Sequence, residues 1–106
     1  MRILVEFTVD SRIELVHLLK ARMADEGDAV RFASLYLDDI EQEFLKCEGT
    51  HPRAEQIIRE DKVFWSWHYA DGIWAAFTIT DVKRRFLGGT VRTIRVFSFR
   101  SRPIRP

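Results

Sequence analysis

A chain of 106 residues with 46% hydrophobic residues has room for one domain and one core, and none for a second. Its single cysteine, Cys47, excludes an intrachain disulfide or a cysteine-built metal cluster and fits a reducing compartment. The net charge of +1 hides a split. Residues 1–80 carry 9 Lys/Arg against 15 Asp/Glu, whereas residues 81–106 carry 8 Lys/Arg against Asp81 alone, which points to a polyanion or an acidic protein as partner for that end.

From the N-terminus, Ile3, Val5, Phe7 and Val9 alternate with Arg2, Glu6 and Thr8, the pattern of a half-buried strand. Arg2, Glu6 and Asp10 interrupt any apolar leader, so no signal peptide is expected. Ser11 followed by Glu14 reads as a capping box that opens a helix with Leu15, Leu18, Leu19 and Met23 on one side. Gly27 and Asp28 break it. Asp28 can cap a second helix whose seam runs Ala33, Leu37, Ile40, Phe44 and which ends near Gly49, so that the two helices form an antiparallel hairpin. Thr50 to Asp61, with Pro52, reads as a loop with at most one helical turn.

Val63–Tyr69 and Ile73–Thr80 are rich in aromatic and β-branched residues and flank Ala70-Asp71-Gly72, a hairpin signal. Trp65, Trp67 and Tyr69 share one face, opposite Phe64, Ser66 and His68; Ile73, Ala75, Phe77 and Ile79 share another, opposite Trp74, Ala76 and Thr78. A basic loop, Asp81–Gly89, leads to a last strand, Val91–Phe99, and then to Arg100-Ser101-Arg102-Pro103. The longest apolar run, Ile73–Phe77, has five residues against the roughly 20 needed to cross a bilayer, so no membrane partner and a soluble, cytoplasmic protein are expected. The order β-α-α-β-β-β over residues 1–106 predicts a two-layer α+β domain, a helical hairpin on a mainly antiparallel four-stranded sheet with its other face partly open.

Chemistry is sought on that open face. His17, His51 and His68 lie on separate elements without metal-ligand spacing, so no metal and no cofactor are expected. Gly88-Gly89 lacks the context of a phosphate loop, and Asp71 is a turn residue before it is a partner for Ser98 and His68. Aromatic residues alternating on a strand can stack unpaired bases, but Trp65, Trp67 and Tyr69 are better read as core. His68, Trp74, Arg92, Arg95, Arg100 and Arg102 remain as candidates for the open face, with Lys83, Arg84 and Arg85 in the neighbouring loop. Arginines hold phosphates and histidine moves a proton near neutrality; RNA brings its own 2′-hydroxyl nucleophile.

The central hairpin Val63–Ile79 and the strand Val91–Phe99 running into Arg100 and Arg102 resemble, in layout and length, the RelE/ParE superfamily of toxins from type II toxin–antitoxin pairs. The resemblance implies a toxin neutralised by a cognate antitoxin protein. One branch consists of metal-independent endonucleases that cut messenger RNA on the ribosome; another poisons DNA gyrase without a catalytic set. The resemblance places the final-strand catalytic arginine of the first branch at Arg100 or Arg102. With the residues of the open face this gives His68 as the expected proton-transfer group, Arg100 and Arg102 as the expected holders of the scissile phosphate, and Lys83, Arg84, Arg85, Arg92, Arg95 and Trp74 as the expected nucleic-acid-binding residues. Trp74 stands where the nucleases usually carry arginine just after the turn. The alternative is a non-catalytic protein of the same fold, a gyrase poison or a partner-binding module.

Overall fold

The computed structural model describes residues 1–23, 25–47, 51, 53–84 and 88–104. The first strand, β1 (Arg2–Phe7), stops two residues short of the sequence pattern because Thr8 turns the chain into helix α1 (Val9–Lys20). Thr8, and not Ser11, is the N-cap: its hydroxyl accepts from the Ser11 amide at 3.1 Å, and the buried Ser11 hydroxyl donates back to the Thr8 carbonyl at 2.8 Å. Val9, expected on the strand's buried face, is therefore exposed in the first helical turn.

Helix α2 (Glu26–Lys46) also starts earlier than its sequence signal, capped by Asp25, whose side chain accepts from the Gly27 amide at 2.7 Å. Lys20 and Glu26 form a 2.9 Å ion pair across the break between the helices, which holds the Glu26 carboxyl below the usual carboxylate range. The seam Ala33, Leu37, Ile40, Phe44 is buried as expected. Helix α2 ends on Cys47; Gly49 lies outside the described residues.

The stretch expected to be a loop contains a strand, β2 (Glu55–Arg59), so the sheet has five strands. It forms a hairpin with β3 (Lys62–Ala70) through Glu60 and Asp61, both at positive φ (48° and 66°), as a two-residue turn of this kind requires. Asp71-Gly72 then turns β3 into β4 (Ile73–Lys83), where Gly72 has φ 70° and the Arg22 guanidinium occupies the space a Cβ would need. The last strand, β5 (Thr90–Arg100), pairs antiparallel with β4 and parallel with β1, giving the order β1-β5-β4-β3-β2.

Strand alternation divides the sheet into two faces. Trp67, Ile73, Ala75, Phe77, Ile94, Val96 and Phe99 point inward onto Leu15, Leu19 and the α2 seam. Phe44 is the hub, with its ring edge-on to Trp67 (5.3 Å between centroids) and to Phe77 (4.8 Å). The α+β reading of the sequence therefore stands, with a helical hairpin on one face of a mostly antiparallel sheet. A bulge at Phe97, where Ala76 pairs with Ser98 but Phe77 with Val96, keeps Phe99 inward and turns Ser98 and Arg100 to the outer face. No helix among the described residues is long and apolar enough to cross a membrane.

Candidate nucleic-acid interface

Strand register sets the outer face. His68 pairs with Trp74 across β3 and β4, and Trp74 pairs with Arg100 across β4 and β5, so the three side chains form one row. The His68 ring lies stacked on the Trp74 indole, 4.5 Å between centroids and 14° between planes. With strands about 4.8 Å apart, the backbones of His68 and Arg100 are about 10 Å apart, with the indole between them.

Beside this row lies a groove of about 680 Å³. Phe64 and Phe97, edge-on at 5.9 Å, form its aromatic part; Arg59, Lys62 and Arg100 bring cationic groups to its wall and Glu60 one carboxylate; Ile104, beyond the last strand, borders it too. Basic side chains around aromatic rings are the composition of a single-strand nucleic-acid groove. Arg100 is common to groove and row. Its Nε donates to the Ser98 hydroxyl at 3.3 Å, and that hydroxyl donates to Glu14 of α1 at 3.1 Å, which fixes the arginine stem from beneath. Glu14 reaches Ser98 because β1 ends opposite Val96 and α1 continues alongside β5, tied to it by the Thr8 amide on the Val96 carbonyl.

The remaining arginines of the basic segment divide. Arg102 is exposed and borders a shallow hollow with Arg100 and Glu14, next to the row. Arg95 lies on the outer face but is held by Glu6 of β1 at 3.1 Å. Arg92 is on the inner side of the sheet by alternation, with two bonds to Asp81 at 2.7 and 2.8 Å; the pair holds the Asp81 carboxyl low and the Arg92 guanidinium high. Lys83 and Arg84 stand at the far end of β4, about 30 Å from Trp74 along the strand. Arg85 lies outside the described residues. Of the residues expected on the open face, the structure brings His68, Trp74 and Arg100 into one row with Arg102 beside it, and adds Arg59, Lys62, Phe64 and Phe97, which the sequence pattern does not single out. Their signal was available once β2 was recognised, because pairing Ile57 with Phe64 and Arg59 with Lys62 puts them on the same face.

A second cluster lies where β3 runs past the start of β2. Glu43, Cys47 and His51 place their ligand-type atoms within 4.8 Å of one another, with His51 Nε2 3.7 Å from Glu43. The His51 ring lies against Trp67 at 4.4 Å between centroids, tilted by 30°, and its Nδ1 accepts from the Arg53 amide at 3.2 Å. Burial lowers the His51 pKa, and the Glu43 carboxylate only partly opposes that. Nearby, the Tyr69 hydroxyl donates to Asp39 at 2.7 Å; burial first, and that carboxylate second, push the phenol well above its ordinary range. The spacing Glu-x3-Cys-x3-His was visible in the sequence, but a search for paired histidines or cysteines passes over it.

No family model, no curated protein and no solved structure matches the chain.

Proposed function

We propose that the outer face binds single-stranded RNA and that the protein is a toxin-type endoribonuclease acting without a metal ion. The observation that carries this reading is the row His68–Trp74–Arg100 opening onto a groove of aromatic and basic side chains. A base stacked over Phe64 or Phe97 would leave its phosphates to Lys62, Arg59 and Arg100. At the row, His68 would take the proton of a 2′-hydroxyl, whose oxygen attacks the adjacent phosphorus. The 5′-oxygen leaves with a proton from solvent, giving a 2′,3′-cyclic phosphate and a 5′-hydroxyl. Arg100, with Arg102 beside it, would stabilise the charge that builds on the phosphoryl oxygens. The antitoxin partner, the ribosome as the place where messenger RNA is cut, and the cytoplasm rest on the resemblance to RelE/ParE toxins.

One observation favours a second reading. Trp74 covers a face of the His68 ring, an arrangement suited to binding as well as to proton transfer. The protein would then be a non-catalytic module of the same layout, directed at a partner such as gyrase. Purified protein incubated with translating ribosomes and a defined message decides between them. Cleavage ends that fall by about 100-fold in the Arg100→Ala, Arg102→Ala double variant, and in His68→Ala, support the nuclease. Cleavage that survives both variants overturns the assigned roles. RNA binding without any cleavage, weakened by the double variant, supports the second reading.

A further inference from the structure

We propose that Glu43, Cys47 and His51 bind a zinc ion at the C-terminal end of α2. Glu43 and Cys47 are four residues apart on the helix, so their side chains lie on one face, and Cys47 is its C-cap. His51, brought back to that face, completes a set of one carboxylate, one thiolate and one imidazole within 4.8 Å. The 3.7 Å between His51 Nε2 and the Glu43 oxygen is close to the separation of two ligands on one tetrahedral ion with bonds of about 2.0–2.2 Å. Only a small contraction is required.

The chemistry of the donors selects the metal. Sulfur, nitrogen and oxygen together suit zinc, whereas calcium and magnesium take oxygen shells. A carboxylate and a thiolate neutralise the charge of a divalent ion, so the site needs no further anion. The neighbouring cavity of about 230 Å³, bordered by Asp39, Arg53, His68 and Tyr69, gives space for water or an anion as fourth ligand, with Arg53 to balance it.

The imidazole is prepared for the task. Contact with the Trp67 ring restricts the imidazole, and the side chain is 10% exposed, so the histidine is held in the ring orientation that directs Nε2 at Glu43. Nδ1 accepts from the Arg53 amide, which leaves the proton on Nε2. Binding moves that proton to Nδ1 and releases the Arg53 amide. Arg53 is exposed, so water replaces the lost bond, a small loss beside a zinc–imidazole bond. Zinc uptake therefore displaces the thiol proton and switches the His51 tautomer.

Titration of the full chain with zinc against a chromophoric chelator is expected to show one equivalent bound. Affinity should fall by about 100-fold in Cys47→Ser and His51→Gln and by about 10-fold in Glu43→Gln, and stay within about twofold in His17→Ala, a histidine on α1 away from the cluster. Cobalt in place of zinc should give the spectrum of a tetrahedral site with a thiolate charge-transfer band. The chain has one cysteine, so that band can come only from Cys47. This readout on the unaltered protein holds even where a variant fails to fold. Zinc affinity unchanged in Cys47→Ser, or a six-coordinate cobalt spectrum without the thiolate band, overturns the proposal. The RNA-cleavage test can fail without touching it, because neither readout involves RNA.

Discussion

On β4, Ile73, Ala75 and Phe77 are at most 1% exposed, whereas Trp74 and Thr78, interleaved with them, are only half-buried. The inner face is sealed by two helices and depends on shape; its rings interlock around Phe44. The outer face has no helical layer, yet its middle is not open. Ile57, Ser66 and Ala76 are about as buried as the core. What remains accessible there is the row ending in Arg100 and the groove beside it. The difference teaches that the packed core and the face proposed for recognition lie on opposite sides of the same strands, and that substitutions should separate them.

The largest expected effect is on the inner face. Phe77→Ala removes a ring packed on Phe44 and Trp65 and should cost about 4 kcal/mol, measured by urea unfolding. A domain of this size has roughly 5–15 kcal/mol to lose, so the variant should be near its limit. A cost under about 1 kcal/mol would mean that the inner face is not the load-carrying core. A smaller effect of opposite sign is expected on the outer face. Ser66 Oγ is buried with no hydrogen-bond partner among the described residues, and Ser66→Ala should stabilise the protein by about 1 kcal/mol. Destabilisation instead would show that the hydroxyl has an occupant, a bound water or ligand.

The smallest effect is set by pH. The lowered pKa of His51 means that the unfolded chain binds its proton before the folded one does as pH falls. In chelator-treated protein this contribution is present above the unfolded value near 6.5, and is lost as pH drops from there through the folded value. Melting points of the wild type and His51→Gln should therefore converge or cross on acidification. Parallel curves would rule out the buried, neutral imidazole.

Much of this was legible in the residues. The alternation of Ile3, Val5 and Phe7, the seam of α2 and the Asp71-Gly72 turn each follow from a period or a turn preference that local sequence obeys. Both helices start three residues before their sequence signals, because Thr8 continues the strand pattern and Gly27, two residues after Asp25, reads as a break and not as part of a first helical turn. Strand β2 was hidden for a different reason. Glu55-Gln56-Ile57-Ile58-Arg59 has only two apolar residues, and its turn uses Glu60 and Asp61 at positive φ where Asn or Gly would announce a hairpin. Only pairing with β3 makes it a strand. The interface was half legible on the same ground: Arg100 and His68 lie in clear strands, whereas Arg59 and Lys62 depend on β2. Arg92 and Arg95 resemble Arg100 in sequence, and only register shows that Asp81 and Glu6 meet them.

The parallel pairing of β1 with β5 has a consequence for the order of assembly. Thr8 and Phe97 touch across 89 residues, and β5 lies between β1 and β4. During synthesis β1 emerges before the other elements of the sheet and has no neighbour until β5 has followed. Closing so long a loop is slow, and the hairpins β2–β3 and β3–β4 can form well before it. Arg100 arrives with the strand that completes the sheet. The paired hairpins can already carry His68 beside Trp74, but the row lacks its arginine and the groove lacks Phe97 until β5 docks, so the accessible face is completed in the same late step as the fold.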